Sequence, residues 1–152
     1  MDLASWTVGL SLIVLTIAIH TTGVVMMAYG LERRIPVRVQ EHLDDPRRTI
    51  PIAIGHIGAV ALILAAPHGL ESLLWASAYS WLGAIGAFTD ASVYSLATMT
   101  TLDVPELALP SRFRMISALE AVNGVLLFGI STAFIFAVIQ VYWLTLSGRR
   151  MH

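Results

Sequence analysis

The run Phe88-Thr89-Asp90-Ala91-Ser92-Val93-Tyr94-Ser95-Leu96-Ala97-Thr98-Met99-Thr100-Thr101-Leu102-Asp103-Val104-Pro105-Glu106-Leu107-Ala108-Leu109-Pro110-Ser111 decides how this chain folds. Its first half favours helix, with Thr89 or Asp90 as N-cap and an end near Met99. About ten helical residues cover only some 15 Å, half the hydrocarbon core of a bilayer. Asp103, Pro105, Glu106 and Pro110 then make the second half polar and non-helical. Both flanks are long and apolar. Irregular backbone at membrane depth is tolerated only where it is buried in protein or lines water. A re-entrant segment is therefore expected, with a pore helix over residues 89–100 and a loop over 101–111.

Composition agrees with a membrane setting. Of 152 residues, 57% are hydrophobic and only 12% are Asp, Glu, Lys or Arg. The mean hydropathy is +0.76. A soluble domain is nearer one quarter charged, and this chain lacks the polar side chains to cover a water-facing surface. The net charge of −1 gives no reason to expect a nucleic-acid partner. The absence of cysteine excludes thiol redox, Cys-ligated zinc and iron–sulfur chemistry.

The few charges act as a ruler. No ionised side chain lies between Asp2 and Glu32, and Trp6 to Tyr29 is long enough to cross a bilayer. A first transmembrane helix is expected over residues 1–30, closed by Gly30 as C-cap. A cleavable signal peptide is disfavoured, because Met1-Asp2 lacks a basic start. Residues 31–49 hold Arg33, Arg34, Arg38, Arg47 and Arg48 and read as a cytoplasmic basic linker, with room for a short interfacial helix over residues 37–43. Residues 50–86 are apolar, broken by Glu71 and by Pro67-His68-Gly69. Two readings compete there: a hairpin of two short spans turning at Pro67, or one kinked, tilted helix about 50 Å long. Only the second puts the 33–48 arginines and Arg149-Arg150 on one side, as the positive-inside tendency favours. The last span is expected over residues 113–146. The chain thus reads as an all-α integral membrane protein whose pore domain covers residues 50–152.

At this point the residues carry a family likeness. Ala91 to Leu102 resembles the pore helix and filter entrance of tetrameric potassium channels, which read loosely A-x-Y-F-S-x-x-T-x-T-T-x-G-Y-G-D. The following helix, with Arg114, Glu120-Ala121-Val122-Asn123-Gly124 and Phe128-Gly129-Ile130-Ser131-Thr132-Ala133, is similar to the inner helix of small bacterial potassium-channel-like pore proteins. His68-Gly69-Leu70-Glu71, Trp75, Tyr79 and Leu82-Gly83-Ala84 resemble that group's outer helix. The likeness covers roughly Ile50 to Tyr142. It implies a homotetramer around a central pore, each copy giving an outer helix (50–86), a pore helix, a filter strand and an inner helix. It also implies a bacterial inner membrane with the C-terminus in the cytoplasm. The pore helix would aim the negative end of its dipole at a central cavity.

The filter itself departs from that pattern. Where the family has G-Y-G-D, this chain has Asp103-Val104-Pro105-Glu106. Val104 is β-branched and precedes proline, and Pro105 has a fixed φ, so the stacked carbonyl rings of a potassium filter are out of reach. Side chains remain. Thr100, Thr101, Leu102, Asp103, Val104, Pro105 and Glu106 would form the ion pathway, with Asp103 and Glu106 as carboxylate rings holding a cation transiently. The expected function is cation passage without the usual potassium selectivity. The alternative is a non-conducting tetramer with a degenerate pore, serving a structural or accessory role. Neither catalyses a reaction.

Other intramembrane polar residues are expected to act mostly as packing glue. His20 is expected to hydrogen-bond a neighbouring helix, and His68 to pair with Glu71 on one helical face. Glu120 and Asn123 are read as supports behind the pore segment, and Gly124 and Gly129 as hinge points or sites of close packing. No spacing enforces haem or metal at His20, His56 and His68, so no cofactor is expected. The partners are a second to fourth copy of the chain, the lipid bilayer and a permeant cation.

Overall fold

A computed structural model describes residues 3–41, 46–102 and 104–147, with side chains over 5–31, 47, 50–102 and 104–143. The described residues are predominantly helical, and no strand occurs among them. The long helices are α1 (Leu3–Glu41), α2 (Pro46–Trp81) and α4 (Arg114–Ser147), with the twelve-residue α3 (Phe88–Met99) between α2 and α4. Two short 3-10 turns, Pro105–Leu107 and Ser111–Phe113, lead into α4. Among the described residues, three stretches are long and apolar enough to cross a membrane: Ser5–Leu31, Ile50–Trp81 and Ser111–Trp143, each with a mean hydropathy of 2.0 or above.

Several boundaries differ from the sequence expectation. Gly30 does not cap α1; the helix runs on to Glu41, taking in most of the expected linker. An interior glycine costs a helix only about 1 kcal/mol, and Leu31, Glu32, Arg33 and Arg34 are good helix formers. Residues 42–45, and with them part of that linker, lie outside the described residues, as do Asp2, Arg149 and Arg150 and the side chains of Arg33, Arg34, Arg38 and Arg48. α2 is one uninterrupted helix through Pro67, starting at Pro46 and ending at Trp81 rather than at residue 86.

The ends of α2 and α3 share one motif. After α2, Gly83 adopts φ 66° while its N–H bonds Ser80 O at 3.1 Å and Ala84 N–H bonds Tyr79 O at 2.9 Å. After α3, Thr101 adopts φ 60° while its N–H bonds Thr98 O at 3.0 Å and Leu102 N–H bonds Ala97 O at 2.8 Å. Both are Schellman ends, which satisfy the last carbonyls by turning one residue left-handed. Glycine does this freely, whereas a β-branched threonine does it under strain. The start of α3 is plainer. Ala87 is the N-cap, without a side-chain hydrogen bond, so neither Thr89 nor Asp90 fills that place.

The chain divides into two compact units, residues 1–20 with 66–129, and residues 21–65 with 130–152. In the first, Trp75, Ala76 and Tyr79 of α2, Ala91 of α3, and Leu109, Phe113 and Ile116 form the core. In the second, Ala53, Val60 and Leu64 of α2 close on Val138 and Tyr142 of α4, with Val24, Met27 and Leu31 of α1 at the margin. His56 belongs to this second unit, its Nδ1 hydrogen-bonded to Tyr142 Oη at 2.6 Å.

Candidate pore segment and the buried polar network

One stripe of α3 is buried: Ala91, Ser95, Thr98 and Met99. That spacing marks one helical face. Phe88, Val93 and Leu96, on the rest of the surface, are exposed. Four polar or small contacts hold the buried stripe. Ser95 Oγ shares its one proton between Glu120 Oε1 of α4, at 2.5 Å, and Ser72 O of α2, at 2.7 Å. Tyr94 Oη and Ser117 Oγ share a hydrogen bond of 2.8 Å. Finally, Gly124 of α4 lies so close to Met99 that an added Cβ would overlap the Met99 carbonyl oxygen.

Glu120 is wholly buried and accepts a second short bond, 2.5 Å, from Tyr79 Oη of α2. One carboxylate therefore joins α2, α3 and α4. Tyr79 also meets Tyr94 edge-on, with ring centroids 5.3 Å apart. Losing this buried acceptor would strand the Tyr79 hydroxyl and leave Ser95 with the Ser72 carbonyl alone.

Asn123 goes elsewhere. Its Nδ2 donates to Thr16 Oγ1 of α1 at 2.8 Å, and Thr16 in turn donates to Leu12 O. Asn123 thus ties α4 to the first helix rather than to the pore segment, which corrects the expectation that both residues brace α3. Gly124 and Gly129 also part company: Gly124 is pressed on α3, while nothing lies within 4 Å of a Cβ added at Gly129.

The loop residues divide by burial. Thr100, Thr101, Leu102, Pro105 and Glu106 are exposed and Val104 is half-buried. Asp103 lies outside the described residues. Thr100 Oγ1 donates back to Leu96 O and Ala97 O of its own helix, at 3.0 and 2.9 Å. Val104 sits at φ −124°, ψ 83°, and Pro105 opens a 3-10 turn. Where the potassium-channel likeness implies a filter strand, Pro105–Leu107 form a 3-10 turn, a conformation that the fixed φ of proline permits. An open cleft of about 380 Å³ beside this turn is lined by Tyr94, Val104, Pro105, Leu109, Arg114 and Ser117.

A second polar cluster lies within the same unit. His20 Nδ1 of α1 is 2.9 Å from Glu71 Oε1 of α2, and His68 Nδ1 is 3.5 Å from Glu71 Oε2. The His68–Glu71 half is legible from the i, i+3 spacing. The arrival of His20 is not, since 51 residues separate it from Glu71 and no periodicity links them. Tyr79 on Glu120 and Thr16 on Asn123 were equally hidden. No known protein family, curated protein or solved structure matches the chain.

Proposed function

We propose that the chain is one subunit of a homotetrameric, potassium-channel-like membrane protein that passes cations through an acidic pore without potassium selectivity. The observation that carries this reading is α3. A twelve-residue helix held between two spanning helices, buried on one stripe and followed by an exposed polar loop, is hard to account for as a span or as a surface helix. A pore helix has that length and those neighbours. Its exposed Val93 and Leu96, with Val122, Val125 and Leu126 of α4, supply apolar surface that further copies would cover. Four copies would aim four α3 C-termini at one axis and favour a cation there. Asp103 and Glu106 would supply carboxylates in place of the carbonyl stack. The protein catalyses no reaction in this reading and sits in a bacterial inner membrane with its C-terminus in the cytoplasm.

A second reading, a non-conducting tetramer in a structural or accessory role, draws support from the turn at Pro105–Leu107. Flux separates the two. Purified protein in liposomes should pass K⁺, Na⁺ or Ca²⁺, and neutralising Asp103→Asn together with Glu106→Gln should reduce that flux several-fold. An intact oligomer that passes none of the three ions would refute conduction and leave the second reading.

A further inference from the structure

His20, His68 and Glu71 are the only group of three or more His, Asp or Glu among the described residues whose candidate ligand atoms all lie within 4.8 Å of one another. His20 and Glu71 are fully buried, and His68 is 9% exposed. His20 falls near the middle of the span Ser5–Leu31, His68 just past the middle of Ile50–Trp81 and Glu71 about two-thirds along it. Polar groups at such depth are costly unless each is satisfied. Glu71 Oε2 makes no hydrogen bond among the described residues although it is buried and faces the His68 ring.

We propose that these three side chains bind a first-row divalent transition ion, with Zn²⁺ as the best match, and that the ion ties α1 to α2. The donor set is two imidazole nitrogens and one carboxylate oxygen. Hard ions such as Ca²⁺ and Mg²⁺ favour all-oxygen sites, whereas imidazole suits zinc and its neighbours in the series. Tetrahedral zinc with bonds of about 2.0–2.1 Å spaces its donors about 3.3 Å apart. His20 Nδ1 lies 2.9 Å from Glu71 Oε1 and His68 Nδ1 lies 3.5 Å from Glu71 Oε2, and with all candidate ligand atoms within 4.8 Å of one another, closure on an ion requires the side chains to draw together by up to about 1.5 Å.

The surroundings fit the role. The His20 and His68 ring centroids are 4.8 Å apart, and His68 stacks on Phe128 at 4.3 Å with an interplanar angle of 16°. Stacking holds the second imidazole in place and gives the site an apolar wall. The carboxylate cancels one of the metal's two charges, which reduces the cost of holding the ion in a low-dielectric setting. The site is independent of whether the pore conducts, since no loop residue takes part.

The test uses full-length, tag-free protein in detergent, stripped with a chelator and then titrated with Zn²⁺. The expected result is one zinc per chain that survives dialysis, and a higher unfolding temperature with metal than without. H20Q, H68Q and E71Q should each weaken binding by roughly tenfold or more, while H56Q, in the other unit, should not. Should the variants fail to fold, X-ray absorption on the wild-type chain decides instead. Two imidazoles and a carboxylate oxygen at about 2.0–2.2 Å are expected. A wild-type chain that retains no zinc, a zinc without imidazole ligands, or folded variants of unchanged affinity would each overturn the proposal.

Discussion

The crossing of α3 and α4 can be tested by making the same change at two glycines. Replacing an interior helical glycine by alanine gains about 1 kcal/mol in intrinsic propensity. At Gly129 a new methyl meets nothing within 4 Å, so the gain stands, and G129A should be more stable by about 0.5–1 kcal/mol. At Gly124 the new Cβ would overlap the Met99 carbonyl oxygen and lie 2.8 Å from the Met99 Cα and 2.9 Å from its carbonyl carbon. These are backbone atoms, not the far end of a flexible side chain. Ordinary contact begins at 3.4 Å, so the two helices must part locally by more than half an ångström. Overpacking of that kind costs about 1–3 kcal/mol. With the propensity gain subtracted, G124A should be less stable than wild type by up to about 2 kcal/mol. Interhelical packing is the main stabilising force inside a membrane, so little else compensates the loss. The assay is reversible unfolding in a denaturing detergent followed by tryptophan fluorescence, for which the fully buried Trp75 is a reporter. A G124A protein as stable as G129A would refute the close crossing.

The same assay reaches two further positions. E120A removes the one acceptor shared by Ser95 and Tyr79, and should cost about 2–4 kcal/mol through a stranded buried hydroxyl and a cavity; E120Q, which keeps one acceptor oxygen, should cost about 1–2 kcal/mol. A loss under about 0.5 kcal/mol for E120A would mean that Glu120 does not join the three helices. Thr101 holds a left-handed conformation that costs a β-branched residue about 1–2 kcal/mol. T101G should therefore be neutral or stabilising by up to about 1 kcal/mol after the greater chain entropy of glycine is counted. Destabilisation beyond 1 kcal/mol would show that the Thr101 side chain makes a contact its exposure conceals.

The sequence by itself determined where the spans lie. Charge is so costly in hydrocarbon that a run without Asp, Glu, Lys or Arg marks a span almost without regard to what surrounds it. The same reasoning makes residues 89–100 a helix too short to cross, followed by a polar loop over 101–111; α3 forms at Phe88–Met99. Chain ends of helices were less legible: Gly30 looked like a cap, yet stronger helix formers after it carried α1 on to Glu41. What only the tertiary structure decided is which polar groups meet. Helices that are apolar nearly all round carry little directional signal, so the sequence could not say which face of α1 turns toward α2 or α4. Packing chose the partners: His20 with Glu71, Ser95 with Glu120, and Thr16 with Asn123, across 51, 25 and 107 residues. Each polar atom in so dry a setting must find a partner, but the chain order does not say which one.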